Sequence, residues 1–178
     1  MAILRRGFRL GKRIVSAIPD FEMMGLSNTR KGFFEAQDYR AVLNQLPEHL
    51  QPVVTTAYVT GWRVASELLT RQGKHVDLSA GWLRLDPGET KNGEGRNFPL
   101  TPELRAVLEA QRERVLQIQR STGQIILWVF VHPSGEGRAA AGSPIKDFRG
   151  AWTKACREAG VPGRLLHDFR RTAVRNLE

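Results

Sequence analysis

The chain has 178 residues, is 41% hydrophobic and carries a formal charge of +9 at neutral pH. That length supports one domain with a real core, and no apolar run approaches the ~20 residues a membrane-spanning helix needs. A single cysteine, Cys156, excludes a disulfide framework and a thiolate metal cluster and suits a reducing compartment, while the cationic excess favours a polyanionic partner.

Residues 2–18 carry Arg5, Arg6, Arg9, Lys12 and Arg13 and no acid, with Leu4, Phe8, Gly11, Val15 and Ile18 on one helical face. An Arg-rich presequence and a membrane-surface helix both share that pattern. The narrow apolar face, which contains a glycine, fits better a helix packed on protein with its basic side toward solvent or DNA. Pro19 ends this helix, and the Gly, Ser and Asn residues that follow read as a linker to residue 32.

From Phe33 the pattern becomes compact. "FFEAQDYRAVLNQLP" predicts a helix with Phe34, Tyr39, Val42, Leu43 and Leu46 inward, stopped by Pro47. A second helix runs from about His49 to Thr60, and Gly61 separates it from the helical "WRVASELLTR". The segments "HVDLSAGWLRLDPGETK" and "GRNFPLT" alternate as strands, and the Asn-Gly between them is a hairpin signal. Thr101 and Pro102 supply a cap and first-turn proline for the helix "ELRAVLEAQRERVLQIQ". "QIILWVFVH" reads as a buried strand. Ser143 and Pro144 repeat the cap pattern for a helix with Ile145, Phe148, Trp152, Cys156 and Ala159 inward, ended by Gly160 and Pro162. A last helix begins at Asp168, with Phe169, Ala173 and Leu177 on one stripe. The expected class is α+β, mainly α, with a small antiparallel sheet inserted early.

Metal catalysis finds no support, because His49, His75, His132 and His167 are scattered and no carboxylates cluster near them in the sequence. "SGEGR" lacks the Lys-Ser/Thr ending of a phosphate loop, no nucleophile elbow is present, and Cys156 reads as a core atom. What remains is cationic. Arg63 opens a helix after a Thr-Gly-Trp break, Lys91 sits at a hairpin tip, and His167 and Arg170 stand three apart at a helix start. Each alone has an ordinary surface explanation. Together, two guanidinium forks, an ammonium and an imidazole suit a phosphate diester, with the forks on non-bridging oxygens and the Lys and His handling protons.

"TGWRVASELL", "TKNGEGRNFPLTPELRAVLE" and "GRLLHDFRRTAVRNL" together resemble the catalytic domain of tyrosine recombinases, the phage-integrase family. The likeness covers about residues 33–178 and implies that Arg63, Lys91, His167 and Arg170 are catalytic. Residues 1–18 would then be the terminal helix of a mostly missing core-binding domain, 19–32 a linker, and 33–178 an incomplete catalytic domain with a small three-stranded antiparallel sheet. Arg5, Arg6, Arg9, Lys12, Arg13 and Arg171 are the candidate DNA contacts. The family's acid, three residues after the first arginine, stands here four after it, as Glu67. Family members join DNA through a 3′-phosphotyrosyl intermediate without metal or cofactor, and act as tetramers on paired duplex sites in a bacterial or phage cytoplasm. The sequence stops at Glu178 before any matching tyrosine, and Tyr39 and Tyr58 read as core residues. The expectation is therefore a DNA-binding part of a recombinase that does not cleave by itself. The alternatives are a non-catalytic DNA-binding module and an inert remnant left with Ala173, Val174 and Leu177 uncovered.

Overall fold

The chain divides into two units, Met1–Lys31 and Gly32–Glu178. The computed structural model describes residues 33–89, 93–133 and 139–177, all in the second unit. The N-terminal basic residues Arg5, Arg6, Arg9, Lys12 and Arg13, with Lys91 at the hairpin tip, lie outside the described residues.

Helix α1, Ala36–Gln45, and helix α2, Gln51–Thr60, form where the apolar spacing places them. A 3-10 turn at Glu48–Leu50 joins them after Pro47. Gly61 closes α2 in the left-handed conformation, φ 65°, a state that costs a side chain dearly. The sheet is antiparallel in the order β1 (Val76–Asp77), β2 (Trp82–Leu85), β3 (Arg96–Pro99), with Leu83 opposite Phe98. Alternation on β2 buries Leu83 and Leu85 and exposes Trp82 and Arg84. Helix α3, Pro102–Thr122, starts as its sequence predicts: Thr101 Oγ1 accepts the Leu104 N–H at 3.3 Å. Helix α4 spans Arg149–Glu158 and helix α5 spans Asp168–Leu177.

Outside the segment after Gly61, two predicted elements differ. Residues 124–132 are not a strand; they form single bridges, Gln72 with Trp128 and Val131 with Pro144. The segment is stitched across the fold instead. The Gly73 N–H donates to the Leu127 carbonyl at 2.8 Å, and Gln111 Nε2 donates to the Val129 carbonyl at 2.7 Å. An apolar run reports burial, not pairing, and here Val129, Phe130 and Val131 are buried while Ile125 and Leu127 face out. The second difference is the start of α4, at Arg149 rather than beside Ser143. Pro144 is taken by its bridge to Val131, and the Asp147 carboxylate accepts the Arg149 N–H at 3.0 Å, so the helix opens there.

The main core holds Phe34, Val42, Leu68, Leu83, Leu104, Phe130, Ile145, Trp152 and Phe169. Ala173, uncovered in the inert-remnant alternative, is buried against Gly61, whereas Val174 is 56% exposed. No helix among the described residues is long and apolar enough to cross a membrane.

Candidate functional site

Past Gly61 the chain does not resume a regular helix. Val64–Leu68 form a single π turn, in which the Leu68 N–H donates to the Arg63 carbonyl at 3.0 Å and the Leu69 N–H to the Val64 carbonyl at 2.9 Å. A π turn holds one residue more than an α turn, and such turns gather at functional sites. Its consequence is that Glu67, four residues on, faces back to Arg63. Glu67 Oε1 accepts Arg63 Nη1 at 2.8 Å and Oε2 accepts the Arg63 backbone N–H at 2.7 Å. The Glu67 side chain is 1% exposed and that of Arg63 is 33% exposed. A buried carboxylate thus orients a guanidinium that keeps part of its surface outside. The extra residue in "RVASE" is absorbed by the turn without losing the pair.

Helix α5 supplies the other two groups. Phe169 anchors it inside an aromatic box, with ring centroids 4.8 Å from Phe34, 5.4 Å from Trp152 and 5.6 Å from Tyr58. The Thr172 hydroxyl accepts the Phe34 N–H at 2.8 Å. With Phe169 and Thr172 inward, His167 is exposed in the preceding turn and Arg170 is half-buried. Gly61 makes the close approach possible, since a Cβ built there would lie 2.8 Å from the Ala173 Cβ on the same helix.

One cleft of about 640 Å³ is lined by Arg63, His167 and Arg170 together, although 104 residues separate the first pair. Lys146, Arg149 and Thr153 line it as well. Sequence reading had missed these three: it placed Lys146 in a helix that starts only at Arg149, and it read that helix for its inward face, not for Arg149 and Thr153. Asp147 tempers the rim, where its hydrogen bonds from Arg149 hold its carboxyl below the usual range. Arg171 does not line the cleft; its guanidinium stands 5.5 Å from the centroid of the Phe33 ring.

The hairpin stem lies beside this segment. Arg71, with a side chain 1% exposed, gives Nη1 to Glu89 Oε2 at 2.7 Å and to the Arg84 carbonyl at 3.1 Å. Glu89 is held below the ordinary carboxyl range chiefly by that hydrogen bond. His75 is buried and lowered in pKa, first by burial and then by the Arg71 charge. Contrary to the sequence reading, carboxylates do gather near a histidine: donor atoms of His75, Asp86 and Glu89 lie within 4.8 Å of one another. Both carboxylates are engaged by protein cations, Glu89 by Arg71 and Asp86 by Lys74 at 3.7 Å, so the group forms an ion-pair network.

Neither tyrosine lies in the cleft. Tyr39 is buried, donates to Thr55 Oγ1 at 2.9 Å, and is pushed up to about 12 by burial. Tyr58 stacks on it at 3.9 Å. Cys156 is 1% exposed and raised to about 11 by burial, which suits a core thiol.

No family model matches the chain. It is 24% identical to the integrase of Salmonella phage P22 over 177 residues, 96% of this chain and 43% of that protein. The fold is similar to XerA recombinase, with TM-score 0.62 and 15% identity over 88% of this chain and 52% of that one. It is also similar to a lambda integrase (75–356) dimer bound to a COC′ core site, with TM-score 0.59 and 17% identity over 84% of this chain and 53% of that one. The chain spans about half the length of each relative it matches.

Proposed function

We propose that this polypeptide, whose sequence and fold are those of the tyrosine recombinase family, binds duplex DNA and holds one backbone phosphate in the cleft between α5 and the π turn. In this reading Arg63 and Arg170 grip the non-bridging oxygens, as guanidinium forks do with phosphates. They stabilise the charge that builds on phosphorus during strand cutting, where losing one such donor costs on the order of 10²–10³ in rate. Lys91 protonates the leaving 5′-oxygen and His167 relays the nucleophile's proton, each worth roughly 10²–10⁴. Neither step calls for a metal or an energy-rich cofactor, since a covalent phosphotyrosyl bond conserves the energy of the cut linkage. Assembly on paired sites in a bacterial or phage cytoplasm belongs to the same reading.

The single observation that supports this most is the convergence of Arg63, His167 and Arg170, from two distant segments, on one cleft of a cationic domain. The tyrosines of this chain are elsewhere: Tyr39 is locked into the core and Tyr58 is stacked against it. In this reading neither tyrosine is placed to attack a phosphate held in the cleft.

A fluorescent duplex titrated at several salt concentrations tests the proposal. Affinity should fall with a log–log slope of about −0.9 per phosphate contacted. A nicked duplex that traps covalent adducts should leave no protein–DNA band on a denaturing gel. Salt-insensitive or absent binding would overturn the phosphate site, and a covalent band would overturn the assignment of this chain as lacking the nucleophile.

A further inference from the structure

Arg71 is the largest fully buried side chain of the described residues. Burying a guanidinium is costly, and a buried ion pair is often no more stabilising than a hydrophobic replacement. Its Nε has no hydrogen-bond partner among the described residues, so the burial is not even fully compensated. What the residue does supply is fixed geometry. Nη1 reaches both the Arg84 carbonyl on β2 and Glu89 Oε2 beyond the strand, and Nη2 is steadied by Thr70 Oγ1 at 3.2 Å.

Glu89 passes that constraint into the hairpin. The same Oε2 accepts the Asp86 N–H at 2.8 Å, which folds the turn Asp86–Glu89 onto itself, and the Gly88 N–H donates to the Gly93 carbonyl at 2.9 Å across the two stems. On the returning stem, Arg96 Nη1 stands 3.9 Å from Glu67 Oε1. The two ion pairs are reciprocal. A segment carrying Glu67 and Arg71, one helical turn apart, meets a hairpin carrying Arg96 and Glu89 on opposite stems. Glu67 is also the carboxylate that orients Arg63.

We infer that Arg71 is a positioning residue for the cleft: by gripping Glu89 from inside the core, it sets where the chain enters the segment that carries Lys91. Arg96 does the same for the returning stem, through Glu67. The hairpin and Arg63 are thereby tied to one frame, with Arg71 and Glu67 as its two fixed points. The inference rests on the proposed reading of Lys91 and the cleft as a DNA-phosphate site.

The test uses the full chain with its lysines converted to 13C-dimethyl amines, which keep their charge and each give an NMR signal. Lys91 and Lys146 are identified by Lys91→Arg and Lys146→Arg proteins, and a short duplex is titrated in. In the wild type both signals should move. In Arg71→Met and in Glu89→Gln the Lys91 shift should be lost, while the Lys146 shift at the cleft rim is kept. Glu89 is 32% exposed and its amide still offers an oxygen to Arg71, so Glu89→Gln serves as the second variant if Arg71→Met does not fold. An unchanged Lys91 shift in Glu89→Gln would overturn the inference, as would failure of that variant to fold, which would make the pair a folding requirement. A wild-type Lys91 signal indifferent to DNA would instead overturn the reading on which the inference rests.

Discussion

Gly61 and Ala173 meet where α2 ends against α5, so closely that a Cβ added to Gly61 would stand 2.8 Å from that of Ala173. The contact explains how Arg63, two residues past Gly61, comes to share a cleft with Arg170, three residues before Ala173. Gly61→Ala combines a left-handed alanine, about 1–2 kcal/mol, with overpacking of about 1–3 kcal/mol. A loss of roughly 2–5 kcal/mol is expected in urea unfolding, with weaker DNA binding. Adding Ala173→Gly should recover only the overpacking share. A neutral Gly61→Ala protein would show that the two elements are not held by this contact.

The π turn makes a second prediction. Deleting Ala65, an exposed residue within it, should let Val64–Leu68 relax to an α turn with Glu67 still facing Arg63. Stability and DNA affinity should then stay close to wild type. Glu67→Ala, by contrast, removes the acceptor of both Arg63 groups, at a cost of about 1–3 kcal/mol for the part-buried donors it strands. Comparable losses in the two proteins would mean that the turn, rather than the carboxylate, orients Arg63.

Much of this architecture was legible in the sequence, for reasons particular to each element. The Thr101-Pro102 cap, the Gly61 stop and the three-stranded sheet are set by local chemistry, and local chemistry is what a sequence displays. The cleft trio emerged as a group because two of the three recombinase-like motifs carry its members. Residues 124–132 and the start of α4 were misread because their partners, Arg71–Gly73 and Val131, are distant in the chain, and burial alone does not reveal pairing. Arg71 gave no signal at all. An arginine at the end of "WRVASELLTR" reads as a solvated helix tail, and only the hairpin folding over it shows that it is inside.

Acid should act on the hairpin network. His75 is lowered by burial, and Arg71, Lys74, Asp86 and Glu89 surround it, so the folded state favours the neutral ring. The unfolded state then binds more protons, and stability falls as pH drops below the ordinary histidine value of about 6.5. Glu89, lowered by Arg71, contributes stability present above the usual carboxyl range and lost as pH falls through its depressed value. Urea unfolding of wild type should weaken between pH 8 and pH 5.5, and His75→Gln should flatten that step. An equal step in both proteins would assign the acid sensitivity elsewhere.

The central claim is that Arg63 and Arg170 hold the same phosphate, and a double-mutant cycle on duplex affinity tests it most directly. Arg63→Ala, Arg170→Ala and the double variant are compared by fluorescence anisotropy under one salt condition. The account predicts that the two losses do not add, with a coupling of about 0.5–3 kcal/mol, because each guanidinium grips a group already released when the other is gone. Strictly additive losses, or affinities equal to wild type, would contradict a shared phosphate site.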